Sequence, residues 1–166
     1  MAAAEQEMGD VRRVGETVEM VFHRRYARPI EKVWAALTVP ERLADWFAET
    51  TIDRFEVGGT MQLYFRGADY RSKARIVALE PPHVFAWAWS EPDGTKESLV
   101  RFDLRPDGDG CRLTLTHTKL SVAESEGVAA GWHAHLEALQ DATDAIFTPW
   151  SVLLEREAKV SPLYRA

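Results

Sequence analysis

The stretch LVRFDLRPDGDGCRLTLTHTKL, Leu99 to Leu120, decides the fold. Apolar and polar side chains alternate on both sides of one turn cluster. Val100, Phe102 and Leu104 stand against Arg101, Asp103 and Arg105, and Cys111, Leu113 and Leu115 against Arg112, Thr114 and Thr116. A period of two belongs to a strand with one face in a core and the other in water. Pro106 to Gly110 supplies turn residues between the halves, so the pair reads as a β-hairpin. His117 falls on the apolar side of the second strand.

Toward the N-terminus the same punctuation recurs at Gly58-Gly59, Gly67-Ala68-Asp69, Pro81-Pro82 and Pro92-Asp93-Gly94, which delimits five or six strands between Thr51 and Leu120. Spacings this short favour hairpins, hence an antiparallel sheet. Thr17 to Ala27, rich in β-branched and aromatic residues, reads as a long first strand ended by Pro29. Two short helices follow. Ile30, Val33, Trp34 and Leu37 share one face, and Leu43, Trp46 and Phe47 share another after Pro40. Beyond the hairpin, Val128, Trp132, Leu136, Leu139 and Ile146 form a stripe that predicts one long helix across the sheet. Thr148-Pro149 caps a further short helix, Trp150 to Lys159. The expected organisation is a mobile tail over 1–15, one α+β domain over 16–147, and a C-terminal extension over 148–166.

Composition narrows the function classes. A chain of 166 residues, 46% of them hydrophobic, can bury a core without disulfides or metals. Cys111 is the only cysteine, Met1 to Asp10 lacks the regions of a signal peptide, and no apolar run approaches the span of a bilayer. A cytoplasmic address without membrane insertion is expected. The net charge of -6 gives no positive field for a phosphate backbone, so nucleic acid is not an expected partner. His23, Arg24, Arg25 and Arg28 read as a solvated strand face.

No cofactor or metal is implied. His133 and His135 lie two apart on a helix and diverge by about 200°, which leaves His133 with Glu137 as an ion pair or, less expected, as part of a metal site. Asp107 to Gly110 resembles the opening of a calcium loop but lacks the later ligands, so it reads as a turn. Gly58-Gly59 lacks a phosphate-loop Lys and reads as a bulge or tight turn. Cys111 reads as an unreactive core or surface thiol.

The ordered motifs resemble a known family. Ala27-Arg28-Pro29 with Val33-Trp34-Ala35-Ala36-Leu37-Thr38, Pro40-Glu41 with Trp46, and Phe55-Glu56-Val57-Gly58-Gly59 are followed by Leu79-Glu80-Pro81-Pro82 with Phe85 and Trp87. Leu113 to Thr118 and Gly131-Trp132 with Leu136 and Leu139 complete the set. Over about residues 17 to 146 the chain resembles the SRPBCC or START-like (Bet v 1-like) superfamily, and within it the homologues of the Hsp90 ATPase activator. The resemblance implies a helix-grip fold: a curved antiparallel sheet of about six or seven strands over a long C-terminal helix, with two short helices after strand 1.

It also implies a cavity between sheet and helix. Trp34, Trp46, Tyr64, Trp87, Trp89, Phe102, Leu115, His117, Trp132 and Leu136 are the expected lining. His117 is the best polar candidate, able to hydrogen-bond a ligand or shuttle a proton, against the alternative of a satisfied structural histidine on an apolar face. Three functions compete. The first is binding of a small hydrophobic ligand, a lipid or polyketide-like metabolite, for carriage, sensing or sequestration. The second is a cyclase or hydrolase using His117 and Tyr64 as acid or base, for which no carboxylate pair or triad is visible. The third is an activator-like role toward a chaperone partner through the protein surface.

Overall fold

Hairpin follows hairpin along the chain until the last strand returns beside the first long one. The computed structural model describes residues 8–164. The elements are β1 (Asp10–Val14), β2 (Thr17–Tyr26), α1 (Ile30–Thr38), α2 (Pro40–Trp46), β3 (Glu49–Ile52), β4 (Thr60–Phe65), β5 (Tyr70–Glu80), β6 (Val84–Ser90), β7 (Ser98–Asp107), β8 (Gly110–Ser121), α3 (Val122–Ala142) and α4 (Trp150–Val160). Short 3-10 turns lie at Arg66–Ala68 and Ser161–Tyr164. The strands form one eight-stranded sheet in the order β1-β2-β8-β7-β6-β5-β4-β3. Every neighbouring pair is antiparallel. The protein has the helix-grip architecture that its sequence motifs imply.

Two bulges help to curve the sheet. Between the Val18–Leu120 and Met20–His117 pairs, β8 carries one residue more than β2, and Lys119 there adopts the left-handed conformation with φ 63°. Between Ile76–Trp87 and Ala78–Ala86, β5 carries the extra residue. An unpaired residue bends its strand and increases the local twist, which turns the inner faces toward α3. The inner face of β8 presents Cys111, Leu113, Leu115 and His117, all buried, as the alternation predicts.

The helix α3 is buried on almost every side from Ala129 to Ala142. Ala129, Ala130, Ala134, Ala138 and Ala142 are small enough for close approach, and α4 packs on it as well as the sheet. Its expected end at Ile146 is wrong. The helix stops at Ala142, the Ile146 and Ala145 amides bond to the Asp141 and Ala142 carbonyls, and Ala145 is left-handed with φ 60°. That is a Schellman end without its usual glycine, and it leaves Ile146 52% exposed.

The N-terminal expectation also needs correction. Asp10–Val14 is an edge strand paired with β2. A two-residue turn, Gly15-Glu16, joins the strands with Gly15 at φ 63°, the glycine-first form that suits strand twist. The strand count among the described residues is therefore eight. The first seven residues of the expected tail lie outside the described residues. Arg24 does not share the solvated face expected of it. It alternates inward with Phe22 and Tyr26, 8% exposed, while Arg25 pairs with Asp107 and Arg28 with Asp144.

The remaining turn readings agree with the structure. Gly108-Asp109 is the hairpin turn between β7 and β8, with Gly108 at φ 63°. Gly58, at φ 94°, donates to Ile76 and Gly59 accepts from it, a tight turn beside β5. Cys111 is buried, and desolvation raises its thiol to about 11.

Candidate ligand site

Between the sheet and α3 the space is occupied by rings. Phe47, the residue that follows α2, lies at the centre. It stacks on Trp132 at 5.5 Å and 7° and meets Trp46, Phe65, Trp87, Trp89 and His135 at 5.1 to 5.9 Å, tilted or edge-on. Trp132 also meets Phe102 edge-on at 6.0 Å. These are separations of direct aromatic packing. The expected lining residues Trp87, Phe102, Leu115, Trp132 and Leu136 are all buried in this packed layer. The open interior expected against them is filled by their own side chains and by Phe47.

Open volume lies instead beside the cluster. A groove of about 560 Å³ runs between the end of α2, the end of β4 and the C-terminal segment. Trp46, Phe47, Phe65, Phe147, Trp150 and Leu153 give it an apolar wall, and Glu49, Tyr64 and Arg66 stand among its polar lining groups. The C-terminal segment is held there by specific contacts. The Thr148 amide donates to the Asp45 carbonyl at 2.9 Å, and Trp150 packs edge-on against Phe65. Gly67 admits that indole: a Cβ on Gly67 would lie 2.1 Å from Trp150 Cγ. At the far end of α4, the Tyr164 hydroxyl accepts from the Gly9 amide at 2.8 Å and bonds to His133 Nδ1 at 2.9 Å.

His117 sits on the opposite side of the rings, 1% exposed. Its two nitrogens have assigned roles. Indole nitrogen can only donate, so Trp132 Nε1–H donates to Nδ1 at 2.9 Å, and the single ring proton is on Nε2, donated to Ser98 Oγ at 2.8 Å. Desolvation lowers the imidazole to about 4, so the ring is neutral at pH 7. This arrangement is not a nucleophile and base. To take a proton from Ser98, Nε2 would need a lone pair and Nδ1 a hydrogen facing the indole N–H, donor against donor. Ser98 instead keeps its own hydroxyl proton to give toward a small pocket of about 150 Å³ that also touches Trp89, Tyr70, Glu91 and Glu124. Tyr70 donates to Glu91 there, and burial first, then that bond, raises its phenol.

The remaining expected residues divide. Trp46 lines the groove and donates Nε1–H to the Ala36 carbonyl at 2.7 Å. Trp89 is pinned by Nε1–H to Ser72 Oγ at 2.7 Å and stacks on His117. Trp34 packs edge-on against Phe85 at 6.2 Å. Tyr64 takes the opposite parity from Met61, Leu63 and Phe65, lies under the Arg71 guanidinium at 4.0 Å and bonds Asp69. It lines the groove, while His117 lines the separate small pocket. His133 and His135 do diverge: His135 Nδ1–H donates to the Trp46 carbonyl at 2.7 Å, and burial lowers its imidazole to about 4. Among the described residues no group of three or more His, Cys, Asp or Glu could hold a metal.

Phe47, Phe65, Ser98, Trp150 and Leu153 lie outside the expected set of site residues. Phe65 is legible in the sequence, because period two from Met61 and Leu63 reaches it rather than Tyr64. Phe47 reads only as part of a helix face, and nothing local marks the centre of a cluster. Ser98 depends on the β7–β8 register, which places Val100 opposite His117.

Comparison with known proteins agrees with this fold. The chain is similar to CalU16 from Micromonospora echinospora, with 26% identity over 96% of this chain and 98% of that one and a TM-score of 0.70. It is similar to the protein encoded by gene BPP1335 from Bordetella parapertussis, with 30% identity over 92% and 88% and a TM-score of 0.67. A conserved protein of unknown function from Enterococcus faecalis, EF2215, shares the fold at 17% identity over 93% and 91%, with a TM-score of 0.69. No curated protein sequence matches. The model of the family described as Activator of Hsp90 ATPase homolog 1-like protein matches residues 27–144. With this match over most of its length, on a curved sheet gripping one long helix, the chain belongs to the Activator of Hsp90 ATPase homolog 1-like family within the SRPBCC (Bet v 1-like) superfamily.

Proposed function

We infer that the protein binds a small hydrophobic or aromatic molecule for carriage, sensing or sequestration. One observation carries the reading. The groove of about 560 Å³ is large enough for a drug-sized molecule and is walled by six large apolar side chains, while its charged lining groups are already paired, Arg66 with Glu49 and Asp45 with Arg42. Catalysis has no comparable support, since His117 is neutral, hydrogen-bonded at both nitrogens and held in the tautomer that cannot deprotonate Ser98. A chaperone partner fits the family description. Among the described residues no helix is long and apolar enough to cross a membrane, and a cytoplasmic carrier with one reduced, buried cysteine fits the composition.

Titration with a panel of apolar probes, a medium-chain fatty acid and a polycyclic aromatic among them, tests this. At least one probe should change tryptophan emission saturably with one-site stoichiometry and raise the melting temperature, because a ligand that prefers the folded state stabilises it by mass action. Phe147→Asp, which places a carboxylate at an exposed position of the wall, should abolish that response without unfolding the protein. A panel with no saturable binder would remove the reading.

A further inference from the structure

We propose that Phe47 is a displaceable occupant of the ligand site, and that the ligand carries a planar aromatic ring which takes the place of the Phe47 side chain on Trp132. This rests on the reading above and narrows it to a ligand class and a binding face.

Phe47 stands between two spaces. It is 6% exposed and forms part of the groove wall, while its other side covers Trp132, Trp87 and Trp89, which do not line the groove. The six surrounding rings form a slot with one face-on contact, Trp132 at 7°, and tilted or edge-on contacts elsewhere. A slot of that form accepts a flat ring and excludes a puckered one.

The walls and the occupant differ in how they are held. Trp132, Trp89 and Trp46 are fixed by indole hydrogen bonds to His117, Ser72 and Ala36. Trp87 and Trp89 sit on β6, a central strand, and Trp132 and His135 on α3. A phenyl group makes no such bond. Phe47 lies at the joint after α2, with φ -126° and ψ -81°, neither helix nor strand, and the chain leads from it into β3, a four-residue strand at the sheet edge. Short, edge-paired segments are where local opening costs least. Rotation at this joint would carry the phenyl group toward the groove and join the groove to the slot. The slot offers no charged partner: His135 donates to the Trp46 carbonyl and is neutral at pH 7. Recognition is therefore by ring faces.

The test compares 2-naphthol with decahydro-2-naphthol, which share a skeleton and a hydroxyl but differ in planarity. In stopped-flow tryptophan quenching of the wild-type protein, the observed rate should approach a plateau as 2-naphthol increases, because opening at Phe47 becomes limiting. Phe47→Ala should remove the plateau and tighten binding. Trp132→Leu should weaken 2-naphthol by about fivefold, the value of one stacked pair, and leave decahydro-2-naphthol unchanged. Nuclear Overhauser effects in the wild-type complex should run from naphthol protons to the Trp132 ring, and the effect between the Phe47 and Trp132 rings should disappear. That measurement stands even if a variant fails to fold. Linear rates equal in wild type and Phe47→Ala, or naphthol held in the groove with Phe47 still on Trp132, would overturn the proposal and leave groove binding intact. Binding by Phe47→Ala alone would show a core residue whose removal opens an artificial cavity, which also overturns it. A wild-type protein that binds other apolar probes but neither naphthol would reject the aromatic class, and one that binds nothing would reject both readings.

Discussion

At the residue scale the two buried histidines have a thermodynamic consequence. His117 and His135 both fall from 6.5 to about 4 in the folded protein, chiefly through desolvation. Between those values the unfolded chain holds protons that the folded chain does not, so stability rises with pH across the interval. The contribution is fully present above about 6.5 and is lost as the pH falls toward 4. Acidification from pH 7 to 4.5 should therefore lower the melting temperature, and the slope should be shallower in the His117→Gln/His135→Gln double variant, referenced to its own stability at pH 7. An unchanged slope would assign the acid sensitivity elsewhere. The inward position of His117 is legible from its parity with Leu113 and Leu115. Its role is not, because Trp132 and Ser98 are 15 and 19 residues away in sequence and only the register and the helix seat bring them together. Tyr64 shows the converse: it is an aromatic strand residue expected in the lining, yet alternation alone assigns the inner face to Leu63 and Phe65.

At the element scale the groove depends on the docking of α4, and that docking depends on Gly67. Where Trp150 crosses the Arg66–Ala68 turn, its Cβ, Cγ and Cδ1 atoms occupy the position of any side chain at 67. Gly67→Ala should push α4 away from the turn, seen as faster amide exchange across Trp150–Val160 while β6, β7 and β8 keep their protection. Removing the obstructing side chain together with its Cβ should relieve the clash, so Trp150→Gly should add little further damage in the Gly67→Ala background. Additive effects would mean that the two residues do not meet. The sequence marks Gly67 as a turn glycine and Pro149 as a helix start, but the contact between Gly67 and Trp150 is long-range and leaves no local signal. The end of α3 is illegible for a different reason. Its Schellman turn places an alanine, Ala145, where glycine is the usual signal, so the apolar stripe runs on to Ile146.

At the scale of the whole molecule, the strand-rich domain and the long helix are readable because alternation, turn residues and helical spacing all favour one architecture. The edge strand β1 escapes such a reading because its pattern, Asp-Val-Arg-Arg-Val, is exposed throughout and buries nothing that periodicity could detect. For the extension the sequence indicates a helix but no purpose. The family match ends at residue 144, yet Phe147, Thr148, Trp150 and Leu153 form one side of the groove, and Tyr164 ties the extension to Gly9 and His133. The core from β2 to α3 is continuous without that segment, since of the extension only Leu153 joins the fully buried cluster. A chain ending at residue 146 should therefore still unfold cooperatively, at a lower melting temperature, because Leu153 is lost from the core cluster and the half-buried Trp150 no longer covers Phe65 and His135. Its groove, however, would be open on one side, and the apolar probe that saturates the full chain should bind at least about tenfold more weakly, the loss expected when roughly 60 Å² of apolar wall contact is removed. Equal affinity in the truncated and full chains, with both folded by circular dichroism, would show that the extension is only a cover for the domain and that the ligand, if bound, lies deeper than the groove.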